Sequence, residues 1–384
     1  MISERIPVAR RVGQLLITGA PGWLADRLLA SFVAVPLPGL ARVRCLVRAG
    51  LAVDAGDFAR QTGAEVDVVR GDLRDRRSLE AAVRGVDTVL HAAGILHVRR
   101  TQDFYDVNTE GTLRLAEAAA EGGVGRFVFV SSNAAGGRSD SAARLLTEED
   151  APRPLSHYGR SKWLAEAALL GLPGAMQRVI LRPCMFYGPP VPPRHVEVFR
   201  RVLHGRMPLV GGGKYARSVT HIDHLVQATR LALLHPAAAG RTYYVADPRV
   251  YTTREVVEAM GRALGVRPRW LPLPGLTATV AHELDTQIAR LGAYWQTLHL
   301  VGEANWHVGV AIDRARRELG YDPRFDIDHG MREAVEWCRR RGLLEPKGSD
   351  RLGARPVEKE ETFAVDDRPA AQVVEHRPER GPGI

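Results

Sequence analysis

The segment Gln14–Ala25 constrains the fold of this chain more than any other. It reads Gln-Leu-Leu-Ile-Thr-Gly-Ala-Pro-Gly-Trp-Leu-Ala, so a short apolar run ends in a glycine-rich turn before a helical pattern begins. Gly19 and Gly22 permit a tight turn and a close approach to a pyrophosphate, and a helix N-terminus adds its positive dipole end. Ala25 fits the third position of the pattern, where only close helix–strand packing is needed. The segment therefore predicts a dinucleotide site, with candidate contacts Thr18, Gly19, Gly22, Trp23 and Leu24.

The alternation of short apolar runs with Ala-rich helical stretches predicts βαβ units on a parallel sheet. An α/β fold follows, a Rossmann doubly wound parallel sheet with a smaller C-terminal substrate-binding region. Helices are expected to begin near Trp23, Arg76, Asn108 and His157, and later ones to span Thr253–Leu264, Ala281–Leu291, Asp313–Leu319 and His329–Arg341. The predicted strands are Gln14–Thr18, Val43–Val47, Glu65–Arg70, Thr88–Ala92, Arg126–Ser131 and Arg178–Arg182.

The texture of the chain changes after Pro183, where Pro- and Gly-rich loops interrupt the regular winding. We expect residues 13–182 to form the dinucleotide-binding domain and the stretch from 183 to 344 to supply the substrate-binding region. Residues 345–384 are rich in Pro, Glu, Arg and Asp without a helical or strand period, which predicts a disordered tail.

Composition excludes several other classes of protein. The 384 residues are 45% hydrophobic and 25% charged, as in soluble globular proteins. The net charge of +9 comes from scattered arginines, so we expect a solvated basic surface and no nucleic-acid partner. No uncharged apolar run reaches membrane-spanning length, and Cys45, Cys184 and Cys338 lie far apart, which predicts no membrane span, disulfide framework or metal site. A cytoplasmic location is expected.

The ends of the next strands bear on which cofactor binds. An acidic residue after the second strand would favour NAD, but the chain has Arg48 there and Arg44 within the strand, which favours NADP over NAD. Asp72, followed by Leu73, is a candidate partner of the adenine amine or else part of an ordinary strand-end turn. The small residues Ala92, Ala93 and Gly94 after the fourth strand leave room for a cofactor to pass.

Tyr158 and Lys162 are the candidate proton-transfer pair. Their i, i+4 spacing places both on one helix face. A tyrosine has a pKa of about 10, so a nearby cation is needed to stabilise its phenolate at neutral pH. Ser132, at the end of the fifth strand, is placed to bond the reacting oxygen, with Ser131 as the competitor for that role. Asn108, at an expected helix start, either supports the site or is only an N-cap.

These residues together resemble the extended short-chain dehydrogenase/reductase superfamily, which includes NAD(P)-dependent epimerases, dehydratases and hydroxysteroid-type dehydrogenases. The resemblance covers about Gln14 to Leu344. The motifs that carry it are the glycine turn, Gly71-Asp-Leu73, Asn108-Thr-Glu-Gly-Thr112, Ser131-Ser132, Tyr158-Gly-Arg-Ser-Lys162, Leu181-Arg-Pro183, Tyr187-Gly-Pro189 and Arg217-Ser-Val-Thr-His-Ile-Asp223.

The resemblance implies Ser132, Tyr158 and Lys162 as a catalytic trio, with Lys162 also binding the nicotinamide ribose. Asn108 and Pro183 join the candidate cofactor contacts. The resemblance also implies that about 217–250 returns to the first domain, which leaves 183–216 and 251–344 as the substrate-binding region. Homodimers are implied, formed through the helices that follow Asn108 and carry Tyr158.

The same resemblance ranks the reactions. Dehydratases carry an Asp-Glu pair after the serine or threonine, where this chain has Asn133 and Ala134, so dehydration is not expected. Nucleotide-sugar epimerases often carry an Asn where this chain has Met185, whereas Arg217 matches a position that can bond a diphosphate.

Arg48 favours net redox chemistry. We therefore expect an NAD(P)-dependent oxidoreductase that interconverts a secondary alcohol and a ketone, with a small-molecule substrate. The alternatives are a nucleotide-sugar epimerase with tightly bound NAD and, less favoured, a non-catalytic dinucleotide-binding sensor.

Overall fold

A seven-stranded, wholly parallel sheet organises the chain, with the strand order β3-β2-β1-β4-β5-β6-β11 once strands are numbered along the sequence. The computed structural model describes residues 10–51, 53, 55–62 and 64–345. The tail predicted to be disordered, 345–384, lies outside these residues except for Glu345. The strands of the large sheet are Gln14–Thr18 (β1), Arg42–Val47 (β2), Glu65–Arg70 (β3), Thr88–His91 (β4), Arg126–Val130 (β5), Gln177–Pro183 (β6) and Arg241–Val245 (β11).

Three two-stranded sheets stand beside the large one. They pair β7 with β10, β8 with β13 and β9 with β12, the last pair being antiparallel. Their strands are Met185–Tyr187 (β7), Met207–Val210 (β8), Ala216–Arg217 (β9), Val219–His221 (β10), Tyr251–Thr252 (β12) and Trp270–Leu273 (β13).

The helices that cover and extend the sheet alternate with its strands, as the sequence pattern predicts. One continuous helical stretch contains a π-helical segment, Tyr105–Thr109, between α4 and α5. The α-helices are Trp23–Ala34 (α1), Ala55–Thr62 (α2), Arg76–Val83 (α3), Thr101–Phe104 (α4), Glu110–Glu121 (α5), His157–Gly171 (α6), Pro193–His204 (α7), Ile222–Leu234 (α8), Thr253–Leu264 (α9), Gly275–Arg290 (α10), Gln296–Gly302 (α11), Asp313–Leu319 (α12) and Ile327–Arg340 (α13).

The α/β class and the doubly wound parallel sheet are confirmed. β1 shows why its sequence is a continuous apolar run. Leu15 and Ile17 belong to the core on one face of the sheet, and Leu16 belongs to the core on the other face. A strand buried on both sides has no polar face, so its residues do not alternate.

Two predicted helices begin six or more residues before the expected position, whereas the other predicted bounds agree to within two residues. The helix expected near Asn108 begins at Thr101, since α4 and the π-helical segment lead into α5 without a break. The helix expected at Ala281–Leu291 begins at Gly275, since Pro274 provides an entry to a helix that carries few apolar buried positions.

The region after Pro183 has its own apolar cluster. Helices α7, α9 and α13 pack there around Phe199, Val257 and Met331. Strand β11, by contrast, joins the large sheet beside β6, and α8 contacts α1 and β6. No helix among the described residues is both long and apolar enough to cross a membrane.

Arg126 fastens the start of β5 to the end of α8. Its side chain is buried and donates hydrogen bonds to the carbonyls of Ala232, Leu233 and His235 at 3.0, 3.2 and 3.0 Å. These are carbonyls that a helix C-terminus leaves without intrahelical partners. Burial lowers the pKa of Arg126 to about 10, so the charge persists at neutral pH.

We expect Arg126→Met to lower the free energy of unfolding by about 2–4 kcal/mol, because buried carbonyls lose a charged donor. Urea unfolding followed by circular dichroism measures this. Arg42→Met is the matched control, since Arg42 also begins a strand but pairs with Glu65 at the surface. An equal loss of stability in both variants would contradict the role of Arg126.

Candidate active site

The carboxyl ends of β1 and β4 are joined by a chain of hydrogen bonds. Thr18 and His91 are neighbours in the strand register, and Thr18 Oγ1 lies 2.7 Å from His91 Nδ1. Thr18 Oγ1 accepts from the Ala93 amide and donates its own proton to His91 Nδ1, because the neutral His91 ring carries its proton on Nε2. His91 Nε2 then donates to Thr112 Oγ1 at 2.8 Å, and that hydroxyl donates to the Asn108 carbonyl.

These hydrogen bonds leave the His91 ring neutral. Burial and, to a smaller extent, the charge of Lys162 lower the pKa of His91 to about 3. The network connects the glycine turn, the loop after β4 and the π-helical segment. These three pieces surround the point where the strand order reverses direction, which is where open α/β sheets bind ligands.

The glycine turn between β1 and α1 has no room for side chains. Gly19 has a φ of +85°, and a Cβ there would lie 2.8 Å from the Ala93 amide nitrogen. A Cβ on Gly22 would lie 2.1 Å from the Gly19 carbonyl oxygen. Gly22 is the N-cap of α1 and provides no side-chain cap, so the first amides of α1 face the turn. This is the arrangement that receives a pyrophosphate.

The ends of β2 and β3 carry the candidate residues for the adenosine half of a cofactor. Arg48 is exposed, and its charge lowers the pKa of Asp72. The larger cause of that lowered pKa is Arg74, which donates to both oxygens of Asp72 at 3.0 and 2.9 Å. The Arg44 guanidinium is not part of this candidate adenosine site, because it donates hydrogen bonds to the carbonyls of Ala82 and Arg84.

Three predicted cofactor contacts, Leu24, Leu73 and Pro183, are held in position by the packing of the sheet and its helices. Leu24 and Leu73 are buried, Leu24 in the core on one face of the sheet and Leu73 in the core on the other. Pro183 ends β6 opposite Val245 of β11. Ala92 and Ala93 border Gly19 through their backbone atoms, as the close approach of a Gly19 Cβ shows.

Asn108 is not at a helix start. It lies within the π-helical segment and is buried, and its Oδ1 accepts from the Ile95 amide at 2.9 Å. Its Nδ2 donates to the Ile95 carbonyl and to Ser161 Oγ at 3.1 and 3.2 Å. Asn108 therefore ties the loop after β4 to helix α6. Such π-helical segments occur often at functional sites.

Tyr158 lies in the first turn of α6, with Ser132 and Arg194 beside it. Burial raises the pKa of Tyr158 to about 12, while a hydrogen bond with Ser132 and the charge of Arg194 lower it. Ser131, the competing serine, has a buried hydroxyl without a hydrogen-bond partner among the described residues. Arg194 lies in the first turn of α7. No sequence motif indicated that it would lie beside Tyr158, since it follows the Pro-rich loop after β7.

Lys162 is buried one turn further along α6. Its Nζ donates to the Val130 carbonyl at 2.9 Å and lies 4.3 Å from the centre of the Phe129 ring. A Cβ on Gly94 would lie 3.7 Å from Lys162 Nζ and 3.2 Å from Asn108 Oδ1, so the absence of a side chain opens this space. Burial lowers the pKa of Lys162 to about 7, although the charge of Glu166 raises it.

A buried ion pair lies beneath Lys162. Arg182 of β6 donates to Glu166 Oε2 at 2.6 Å, and both side chains are almost fully buried. The Arg182 guanidinium also donates to Tyr244 Oη at 3.4 Å. The ion pair between Glu166 and Arg182 thus holds α6 on the sheet, and the charge of Glu166 raises the pKa of Lys162. The sequence shows Arg182 in its Leu-Arg-Pro motif but gives no sign of its partner.

The indole of Trp23 lies at the start of α1, against the region after Pro183. Its ring centre is 4.9 Å from that of Phe186 and 5.1 Å from that of His195. Its Nε1 is buried without a hydrogen-bond partner among the described residues. Burial lowers the pKa of His195 to about 4, so the imidazole is neutral at neutral pH.

Arg217, the alternative diphosphate ligand, is already bound by the protein. Its Nε donates to Thr253 Oγ1 at 3.2 Å. One terminal nitrogen donates to the carbonyls of Glu303 and Ala304 at 2.9 and 3.1 Å. A diphosphate would have to compete with these contacts for the guanidinium.

One group of potential metal ligands occurs in the described part of the chain, formed by His221, Asp223 and Glu333. Arg27 holds Asp223 through two hydrogen bonds. His221 Nδ1 accepts from the Asp223 amide, so its Nε2 carries the ring proton and faces Glu333 at 3.3 Å. Arg27 and Asp223 thus form an ion pair that joins α1 to α8, and burial lowers the pKa of His221 to about 3, so the imidazole that faces Glu333 is neutral.

Comparison with known proteins connects this geometry to a family. The model of the NAD dependent epimerase/dehydratase family matches residues 15–246. An uncharacterized protein of Sinorhizobium fredii, y4nL, is 35% identical over 358 residues, covering 89% of this chain and 99% of that protein.

Relatives with named activities differ in their reactions. The UDP-glucose 4-epimerase of Vibrio cholerae is 28% identical and covers 84% of this chain and 94% of its own length. The 2-alkyl-3-oxoalkanoate reductase of Stenotrophomonas maltophilia is also 28% identical and covers 83% and 97%. Among solved structures, the dTDP-glucose 4,6-dehydratase DesIV of Streptomyces venezuelae, determined with NAD bound, is 26% identical with a TM-score of 0.68, covering 87% and 99%.

Lys162→Met is expected to change the pH dependence of stability. Because the pKa of Lys162 is about 7 in the folded protein and about 10.4 in an unfolded chain, the unfolded state binds more protons between these values. The wild-type free energy of unfolding therefore gains up to about 1.4 kcal/mol per pH unit from this group as pH rises. The variant lacks this gain, so its stability advantage is largest at pH 7 and below.

Urea unfolding of both proteins across this pH range measures the difference. Lys214→Met is the control, since Lys214 is exposed. If the free energies of unfolding of wild type and Lys162→Met differ by the same amount at neutral and alkaline pH, the pKa of Lys162 is not lowered in the folded protein.

Proposed function

The chain belongs to the NAD dependent epimerase/dehydratase family, and from that premise we propose that it is an NAD(P)-dependent oxidoreductase that interconverts a secondary alcohol and a ketone. The observation that carries the proposal is the contact of Tyr158 with Ser132, one helical turn from Lys162, whose Nζ borders the space left by Gly94. That space adjoins the glycine turn through the loop after β4. A hydroxyl or carbonyl held there would meet the phenol and a cofactor at the same time.

The residues present fit a nicotinamide dinucleotide. Gly19 and Gly22 let the turn pack closely on neighbouring backbone, Gly94 leaves space beside Lys162, and the N-terminus of α1 is open toward the turn. The first amides of α1 would hold the pyrophosphate, and Lys162 would reach the nicotinamide ribose. The cofactor, when bound, supplies or accepts the hydride.

Tyr158 is the proposed acid/base. With a pKa raised to about 12, its phenol keeps its proton at neutral pH and donates it to a developing alkoxide on the substrate. Ser132 holds the same oxygen through its hydroxyl, and the charge of Arg194 stabilises the phenolate that remains. This protonation state suits reduction of a ketone better than oxidation of an alcohol.

NADP is the proposed cofactor, with NAD as the alternative. Arg48 is exposed at the end of β2, where an acidic residue would repel a 2′-phosphate. The carboxylate of Asp72, whose pKa the charge of Arg48 lowers, is paired with Arg74. Guanidinium groups suit phosphate well. NAD is the nucleotide bound in the dehydratase neighbour, which supports the alternative.

The second candidate is a nucleotide-sugar epimerase. The Vibrio cholerae relative and the family match favour it. The contacts of Arg217 with Glu303, Ala304 and Thr253 argue against a free diphosphate ligand. Met185, which stands where epimerases often carry an Asn, is 52% exposed and offers no hydrogen bond.

We expect Tyr158→Phe to lower kcat/KM by about 10²- to 10⁴-fold, since the proton donor is lost. Turnover is measured as absorbance change of the reduced nicotinamide with a panel of ketones, alcohols and nucleotide sugars. Cofactor affinity, measured by fluorescence titration, should stay close to wild type. Tyr105→Phe is the control, because its hydroxyl bonds His157 instead of facing the site.

The outcomes of the panel separate the candidates. Net oxidation or reduction supports the oxidoreductase, and isomerised sugar without net redox change supports the epimerase. Cofactor binding without either reaction supports the non-catalytic sensor. Wild-type turnover in Tyr158→Phe would refute the acid/base assignment.

Arg48→Ala is expected to weaken NADP binding about tenfold, the cost of one charge-assisted hydrogen bond. NAD binding should be unchanged, because NAD has no 2′-phosphate. Arg77→Ala, a change of an exposed arginine on α3, controls for net charge. Equal NADP affinity in wild type and Arg48→Ala would place the 2′-phosphate elsewhere or favour NAD.

A further inference from the structure

Helices α10 and α11, residues 275–302, form a hairpin whose exposed side is apolar; we call it the cap hairpin. The side chains on that side are between 51% and 86% exposed. They are Leu276, Val280, Leu284, Leu291, Trp295 and Leu300. The first three recur every four residues, so they form one stripe along α10. Single exposed apolar residues are ordinary, but a contiguous set marks an interaction surface.

The buried side of the cap hairpin combines small and polar side chains, whereas an ordinary surface helix buries large apolar ones. Asp285 and His299 are both buried, and His299 Nδ1 lies 2.8 Å from Asp285 Oδ2. His299 Nε2 also faces Glu303 at 3.1 Å. Although burial lowers the pKa of His299, these carboxylates raise it to about 9, so an ion pair joins α10 to α11 within the hairpin. The apolar stripe takes no part in this pairing.

The cap hairpin stands next to the candidate active site. The Tyr294 ring centre lies 5.2 Å from that of Phe104, which in turn lies 6.0 Å from that of Tyr158. The loop before α4 fastens the end of the hairpin, because Thr101 donates to the Gly292 carbonyl and Tyr294 donates to the Arg99 carbonyl. A surface bound by the hairpin would therefore lie close to the part of the candidate active site that contains Tyr158.

The charges around the apolar stripe are mainly positive. Arg290 is exposed at the end of α10, and Arg99 is exposed beside Tyr294. Arg267 and Arg269 are exposed just before the hairpin, near the exposed Leu271. Of the three acids in residues 267–303, Asp285 and Glu303 are taken up by His299, which leaves Glu283.

We propose that the cap hairpin docks the protein on the surface of an anionic lipid bilayer. An apolar stripe with an exposed tryptophan and a rim of arginines matches the apolar and anionic layers of such a surface. A second copy of the chain fits less well, because a twofold contact through this face would bring the same arginines together. The docking is peripheral, since the hairpin helices are too short and polar to span a bilayer.

The test uses co-sedimentation of the full-length protein with vesicles. We expect binding to vesicles of phosphatidylglycerol and phosphatidylcholine, weaker binding to phosphatidylcholine alone, and weakening by salt. The double variant Leu284→Gln/Leu291→Gln should bind the anionic vesicles at least about tenfold more weakly, because two apolar side chains are lost. The control variant Val33→Gln/Leu170→Gln changes two exposed apolar residues elsewhere and should bind like wild type.

Circular dichroism and thermal unfolding check that both variants are folded. Three results would overturn the proposal: no sedimentation of wild type with anionic vesicles, undiminished binding by Leu284→Gln/Leu291→Gln, or equal loss in the control variant. Gel filtration reports the competing occupant. A wild-type oligomer that the hairpin variant converts to a smaller species, with no vesicle binding, would assign the stripe to contacts between copies of this chain.

Discussion

The hydrogen-bond chain through Thr18, His91 and Thr112 is the interaction on which the rest of the site depends. It runs from the end of β1 to the end of β4 and on to the π-helical segment. Every donor in it has one acceptor, so the His91 ring has a single orientation and tautomer. A buried polar network of this kind is stabilising only when it is complete. The loop after β4 therefore has little freedom where it passes the glycine turn.

Burial controls the electrostatics of the site. Lys162 and Tyr158 lie one helical turn apart, and burial moves their pKa values in opposite directions, toward the neutral form of each. Glu166 and Arg194 act against this shift from two different sides. Glu166 is itself fixed by Arg182, so the local charge balance depends on a residue of the sheet. A bound dinucleotide would enter a site with few free charges of its own.

The sequence predicted the parts of the site that are local in the chain. The strand–turn–helix at Gly19 and the i, i+4 pair of Tyr158 and Lys162 follow from spacing alone, and the doubly wound parallel sheet follows from the alternation of elements, although β11 was not among the predicted strands. NADP preference, the homodimer and the division into two domains remain predictions. The residues it missed come together over long sequence separations. Arg194 reaches Tyr158 from the Pro-rich region, and its neighbourhood depends on how α7 packs.

Asn108 shows how a local pattern misleads. Its position in an Asn-Thr-Glu motif is typical of a helix start, but the helix had already begun at Thr101. The competing interaction was tertiary, since Asn108 bonds Ile95 and Ser161 rather than its own backbone.

The π-helical segment has a consequence for changes in chain length. A π turn accommodates one residue more than an α turn, so it offsets α5 from α4 by about 100°. Removing a single residue from Tyr105–Thr109 would restore a regular helix and rotate everything on one side of the deletion by that angle. Asn108 would then leave Ile95, and Thr112 would leave His91. The length of the segment is therefore fixed by the contacts on either side of it.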